Sequence, residues 1–406
     1  MSALSEYFNT TYGYNNSAYD EYQNISDDEY YSRLLELIRK THDKPLTTGQ
    51  LVHHIVIILC YSLIILVSLC GNLLVVKVIA FGKRKMLTTT NILIASLAFS
   101  DIVMTAFNIP FNVARLLLES WPFGAFLCVS VPFVQVTCVY VSTFTMTVIA
   151  FHRWWTLRRA DVSRSLTKFQ LLVTIGSTWL LAATLAIPHS VFNKTIVIPT
   201  IKNMVRCEVD YPDIDFRFPL WLSVEAFTTQ YFVPLSITIW LYIKIGVIIN
   251  KQGMIAGQST DERKRLQSEA RKRRIVMLIL VVTVFAICWL PLNLYHLLVD
   301  FELISRHYNI FLVCHWFAMS SVCYNPFIYC YLNNSFKNGA KKFYHFILCR
   351  KPSPDSTVVN DNGTQRQLRR QNTDAVANTG DESPSTRIRD DCKTKVTNVD
   401  TTKSLD

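Results

Sequence analysis

The chain has 406 residues and a formal net charge of +11, with half of its residues hydrophobic and only 17% charged. Soluble domains carry about 25% charged residues, so an ordinary water-soluble globular protein is excluded. The apolar residues come in long blocks separated by short charged loops, and the chain from Lys351 onward is polar throughout.

A helix needs about 20 apolar residues to cross the roughly 30 Å hydrocarbon core of a bilayer. Seven blocks meet that length: Leu51 to Val76, Asn91 to Ala114, Gly124 to Phe151, Phe169 to Asn193, Phe218 to Ile243, Ile275 to Val299 and Tyr308 to Leu332. The third, sixth and seventh contain no formal charge, and the only acids inside any block are Asp101 and Glu225. Soluble helices would show a polar face, and these blocks have none. The expected fold is an all-α membrane protein, a seven-transmembrane helix bundle with a short amphipathic eighth helix. Four parts are expected: an outer glycosylated tail over residues 1–50, the bundle over 51–332, an interfacial helix over 333–349 and a disordered cytoplasmic tail over 350–406.

Basic residues mark one side of the membrane: Lys83, Arg84 and Lys85 after the first span, Arg158, Arg159 and Arg164 after the third, and Lys251, Arg263 to Arg265 and Arg271 to Arg274 between the fifth and sixth. The positive-inside rule makes that side cytoplasmic, placing the N-terminus outside, as expected for a multi-pass protein of the plasma membrane. The net charge suits loops facing anionic lipid, so no nucleic-acid partner is needed. The first 50 residues hold eight acids against four bases. Asn9, Asn15 and Asn24 head glycosylation sequons there, and Asn193 heads one in a loop on the same side. Asn333 and Asn362 head sequons on the opposite side. The acidic N-terminus lacks the apolar core of a signal peptide, so the first span is expected to direct insertion.

Most of the 11 cysteines lie within spans, where a thiol acts as a small hydrophobe. Cys128 and Cys207 both sit at the outer face, where an oxidising exterior favours a disulfide; the alternative is two unpaired thiols. Asn334 to Leu348 reads as an amphipathic helix at the membrane surface. Cys349 at its end is a candidate for palmitoylation or an unmodified cysteine. Ser353, Thr357, Ser383 and Thr386 in the polar tail are candidate phosphorylation sites.

Asp101 lies in mid-membrane, where an ionised acid is costly and usually functional. Asn72, Ser142, Ser321 and Asn325 are its candidate partners, and such oxygen ligands could hold a sodium ion or a proton; a hydrogen-bonded polar plug is the alternative. No other cofactor or metal is expected. Pro291 and Pro326 interrupt the sixth and seventh helices and predict kinks, with neighbours satisfying the freed carbonyls.

These residues together resemble the rhodopsin-like G-protein-coupled receptors. The matching motifs fall in order: Gly71-Asn72, Leu97-Ala98 with Asp101, Trp121-Pro122-Phe123-Gly124, Trp179, Pro234 with Tyr242, Cys288-Trp289-Leu290-Pro291, and Asn325-Pro326-Phe327-Ile328-Tyr329. His315-Trp316-Phe317-Ala318-Met319-Ser320 running into Cys323-Tyr324-Asn325-Pro326 is similar to the neuropeptide Y-type and RYamide peptide receptors and related orphans. The resemblance implies a non-enzymatic cell-surface receptor for a C-terminally amidated neuropeptide of Arg-Tyr or Arg-Phe type. Gln135 stands where amine receptors carry an aspartate. The resemblance makes Asp300 the acid that grips a ligand arginine, with Gln135, His296 and His315 lining the same pocket; a solvated helix-end acid and satisfied core histidines are the alternatives. It assigns activation and heterotrimeric G-protein coupling to Arg153, Tyr242, Trp289, Pro291, Asn325, Pro326 and Tyr329.

One triplet departs from the pattern. The family has an acid, arginine and usually tyrosine where this chain has His152-Arg153-Trp154. Histidine supplies no negative charge to restrain Arg153, so raised basal signalling, or a receptor that binds ligand and couples poorly, is expected. Acids beside Tyr22, Tyr30 and Tyr31 suit sulfation or a merely solubilising tail. A small-molecule or lipid ligand is a further alternative. A transporter would show internal repeats, and none is evident.

Overall fold

The computed structural model describes residues 47–82, 87–118, 120–158, 166–198, 204–211, 217–257, 262–333 and 336–341. Among them, seven helices are long and apolar enough to cross a membrane. These are α1 (Thr48–Ala80), α2 (Thr89–Leu117), α3 (Gly124–Arg158), α4 (Lys168–Ala186), α5 (Phe218–Gly257, from its three consecutive segments), α6 (Glu262–Asp300) and α7 (Tyr308–Leu332). Two starts are written into local sequence. Thr47 and Gln50 cap α1 reciprocally, and Thr167 and Gln170 do the same for α4, satisfying backbone N–H groups that a helix start leaves free.

Proline shapes two of the helices. In α2 the run Met104–Asn108 is π-helical and Pro110 follows it; in α5 the run Phe227–Phe232 is π-helical and Pro234 follows it. Proline donates no bond to the carbonyl four residues back and its ring clashes with that carbonyl. A turn widened by one residue accommodates the ring.

The helices pack as a bundle, α1 against α2 and α7, α6 against α7, and α3 against α2, α4 and α5. Hydrogen bonds cross the α3–α5 seam: Gln230 Nε2 donates to the Val136 carbonyl at 3.2 Å, and Thr147 and Thr238 hydroxyls lie 2.9 Å apart. The outward side stays apolar. Leu59, Leu63 and Leu66, on one face of α1, are 60–64% exposed, the inverse of a soluble helix and suited to lipid contact.

The fourth span departs from the expectation. It ends at Ala186 instead of running to Asn193, and the chain turns into a hairpin of β1 (Asn193–Ile198) and β2 (Met204–Val209). Ile187 precedes Pro188, a pairing that disfavours further helix, and the Thr195-Ile196-Val197-Ile198 run is β-branched. Asn193 itself is buried, its amide nitrogen donating to the carbonyls of Ser190 at 3.1 Å and His189 at 3.3 Å. A glycan needs that nitrogen free and exposed, so Asn193 is corrected from glycan acceptor to a structural residue of the turn. Asn9, Asn15, Asn24, the tail hydroxyls and Cys349 lie outside the described residues.

Of the amphipathic eighth helix, residues 336–341 are described and helical. Phe336 is buried against Tyr329, ring centroids 5.7 Å apart.

Candidate functional site

At one end of the bundle, Cys207 of β2 is disulfide-bonded to Cys128 of α3. Trp121 packs beside the bridge, its indole donating to the Gly124 carbonyl at 2.9 Å and its backbone N–H to Val205 at 2.6 Å. Gly124 has φ 75°, a conformation glycine adopts without strain. The Trp121-to-Gly124 motif is thus the anchor that seats the hairpin on α3.

The four expected ligand contacts sit at this end but face different neighbours. Gln135 of α3 accepts from Asn112 of α2 at 3.2 Å, and Asn112 in turn donates to Asn108 at 2.6 Å. His315 is buried, its Nδ1 2.8 Å from the Tyr61 hydroxyl of α1, so its place is the α1–α7 seam. His296 lies edge-on to Phe311 at 6.1 Å, and Phe311 lies 5.6 Å from His315. Asp300, the last residue of α6, accepts a hydrogen bond from Ser223 of α5. Burial, then the Asp300 charge, pushes the nearby Tyr211 phenol above its ordinary range. Asn112 and Ser223 were not singled out from sequence; for Asn112 the signal available was a second asparagine, Asn108, one helical turn away in an apolar block.

Glu225, the second acid of the spans, joins three elements. It pairs with His189 Nε2 at 2.8 Å and accepts from Thr229 at 2.9 Å and Tyr140 at 3.2 Å. It stands two residues beyond Ser223, so the two side chains leave α5 on opposite faces. One fixes α5 to α3 and the turn after α4; the other meets Asp300 on α6.

Deeper in the bundle, Asp101, Ser142, Ser321 and Asn325 line an internal cavity of about 20 Å³, together with Trp289. That volume holds one water or one small ion. Asn325 Nδ2 donates to Asp101 at 3.0 Å, and the Trp289 indole donates to Ser321 at 3.1 Å. Oxygen donors around one carboxylate fit a hard monovalent cation. Trp289 of α6 thus touches the same chamber as Asp101 of α2.

Asn72 is a helix clamp through its amide nitrogen, while its Oδ1 is buried without a hydrogen-bond partner among the described residues. It is not among the cavity-lining residues; its Nδ2 donates to the Val322 carbonyl at 2.9 Å. Val322 is four residues before Pro326, so its carbonyl is the one that Pro326 deprives of a donor. Neighbouring Gly71 explains the close approach: a Cβ there would lie 2.7 Å from Pro326 Cγ. Gly71, Asn72 and Pro326 form one joint between α1 and α7.

At the opposite end, Tyr242 and Tyr329 are buried, and Arg153 has Tyr242, Arg274 and Arg271 as its electrostatic neighbours. No acid from α6 faces Arg153 among the described residues. Arg153 Nε and both His152 ring nitrogens are buried without a hydrogen-bond partner. Arg271 donates to Gln252 at 2.8 Å, tying α6 to α5.

A bundle of seven spans, with a disulfide-anchored hairpin at one end, a polar cavity in its interior and a half-buried arginine at the other end, has the architecture of a helical membrane receptor. Residues 71–329 match the 7 transmembrane receptor (rhodopsin family) profile, and the chain belongs to that family. It is 34% identical to the neuromedin-K receptor of Oryctolagus cuniculus over 295 residues, 71% of this chain and 61% of that one. The Homo sapiens neuromedin-K receptor gives the same identity and coverage. The neuropeptide Y receptor type 6 of Mus musculus is 32% identical over 313 residues, 73% of this chain and 82% of its own. The chain spans about three fifths of the length of the neuromedin-K receptors it matches.

Proposed function

We propose that this chain is a plasma-membrane G-protein-coupled receptor for a neuropeptide with an arginine next to an amidated aromatic C-terminus, its N-terminus outside and its C-terminus cytoplasmic. The carrying observation is Asp300, a carboxylate at the disulfide end that is hydrogen-bonded to Ser223 and forms no ion pair among the described residues. A ligand guanidinium would complete it as a charge-assisted pair. The Asn112–Gln135 amides offer a donor and an acceptor, the complement of a terminal carboxamide. The relatives' names, neuromedin-K and neuropeptide Y receptors, support a peptide over an amine or lipid. Expressed in cells, the chain is expected to raise a second-messenger response to amidated Arg-Tyr or Arg-Phe peptides and to lose it for the same peptides as free acids. A response only to amines or lipids sinks the proposal.

Ligand binding shifts a pre-existing population. Trp289 and the Pro291 kink move the Arg274 end of α6, which opens Arg153, Tyr242 and Tyr329 to a heterotrimeric G protein. Arrestin and kinases would act on the tail, palmitate on Cys349, and glycans on Asn9, Asn15 and Asn24.

A sodium ion in the Asp101 cavity would favour the resting packing. Couplings of this kind run from about 5-fold to 150-fold, so raising sodium is expected to lower agonist affinity at least severalfold. Asp101→Asn is expected to abolish that dependence; competition binding in sodium and in N-methylglucamine reads it directly.

His152→Asp is expected to restore the missing restraint on Arg153. A partly exposed pair contributes at most about 1 kcal/mol, so ligand-free output should fall by up to about 5-fold. Unchanged basal output in His152→Asp, at matched surface expression, refutes the weakened-restraint account and favours a binder that couples poorly.

A further inference from the structure

Trp154 stands where the family usually has tyrosine, and it packs on Trp240 of α5 with ring centroids 6.3 Å apart. Phe151 and Trp155 extend the same surface along α3: Phe151 lies 5.9 Å from Trp154 and stacks on Trp155 at 6.1 Å. Phe151, Trp155 and Trp240 are 51%, 41% and 52% exposed. The Arg158 guanidinium carbon sits 5.4 Å from the Trp154 ring centroid, and Lys244 Nζ sits 5.6 Å from that of Trp240. Two helices therefore build one aromatic ledge carrying two cations. α3 ends at Arg158, so the ledge lies at the end of a span, the depth at which a bilayer passes from acyl chain to headgroup and where indoles settle. Among the described residues neither Arg158 nor Lys244 has a hydrogen-bonded or ion-paired acid.

We propose that this ledge is a binding site for an anionic phospholipid of the surrounding bilayer. Phe151, Trp155 and Trp240 pack the glycerol and first acyl methylenes. Arg158 and Lys244 take the phosphate and the second negative charge of the headgroup. Charge complementarity selects the anionic lipid: two negative groups against one ammonium leave its headgroup a net negative charge for the two protein cations, whereas in a zwitterionic headgroup one cation already balances the phosphate. Basic groups beside spans recognise anionic headgroups in this manner, and the indoles hold the cations in place from below. The site needs no particular peptide ligand.

The test uses the whole chain in lipid nanodiscs containing brominated phosphatidylserine or brominated phosphatidylcholine at equal mole fraction, read by quenching of tryptophan fluorescence. Phosphatidylserine is expected to quench more strongly, equivalent to roughly fivefold enrichment at the ledge. The excess should vanish in about 0.5 M salt, where exposed charges are screened. In Arg158→Gln with Lys244→Gln the excess should vanish while quenching by phosphatidylcholine stays as in the wild type, which also reports that the variant is folded. In Trp154→Tyr with Trp240→Leu the phosphatidylserine excess should be lost at the remaining indole of the ledge, Trp155. Equal quenching by the two lipids in the wild type overturns the proposal. So does an excess that survives high salt, the loss of both cations, or the loss of both indoles.

Discussion

Asp300→Ala is expected to weaken the response to an arginine-bearing amidated peptide by about 30-fold or more. Removing one member of a desolvated, hydrogen-bonded charge pair costs about 2–5 kcal/mol, and 2 kcal/mol is close to 30-fold in affinity. Asp300 is suited to such a pair because Ser223 orients it, Tyr211 sits within its field, and it forms no ion pair among the described residues. Charge and geometry separate by substitution. Asp300→Asn keeps an acceptor for Ser223 and removes the charge, so it should lose nearly as much as alanine. Ser223→Ala keeps the charge and loses one neutral hydrogen bond, so its effect should stay within about 1 kcal/mol. A ligand with citrulline in place of arginine closes the cycle. It should bind the wild type as weakly as the arginine peptide binds Asp300→Ala, and it should lose nothing further in that variant. Additive losses for the two changes would mean that the arginine and Asp300 do not meet.

The spans were legible because the bilayer demands one length and one polarity, and α1, α2, α3 and α7 lie close to their predicted blocks. Composition alone misread the end of α4. The residues from Ile187 to Ile198 stay apolar enough to extend a hydropathy block, yet Pro188 and the β-branched run after it specify a turn and a hairpin. The Asn193 sequon failed for a related reason: a tripeptide carries no record of burial, and Asn193 folds inward to close the turn. Asp101 stood out as an acid in hydrocarbon, and Ser142, Ser321 and Asn325 do share its cavity. Asn72 could not be sorted from them, because its partner is a carbonyl orphaned by a proline 254 positions away. Which ring Trp154 packs on was likewise invisible, since Trp240 reaches it only once α5 lies beside α3.

Gly71→Val is expected to be among the most damaging single substitutions in the bundle. A Cβ at Gly71 would meet Pro326 Cγ at 2.7 Å and Cβ at 2.9 Å, and the pyrrolidine ring cannot rotate away as a flexible side chain could. α1 and α7 would have to separate, and overpacking of this kind costs about 1–3 kcal/mol. The separation also draws Asn72 from the Val322 carbonyl, now 2.9 Å from its Nδ2. An unpaired carbonyl in hydrocarbon costs further free energy, because no water can replace the donor. Asn72→Leu should show the second effect alone. Pro326→Gly removes the ring with its Cβ and returns an N–H to Val322, so Gly71→Ala should cost clearly less in that background than in the wild type. Thermal unfolding of the solubilised receptor measures all of these, read with a thiol-reactive dye that reports exposure of the buried Cys138 and Cys288. Equal destabilisation by Gly71→Ala with and without Pro326 would show that the glycine is not there to admit the proline. A recovery in the double variant would establish that the glycine is there to let the first and seventh helices close on each other at Pro326, and that Gly71, Asn72 and Pro326 are a single device distributed over the chain.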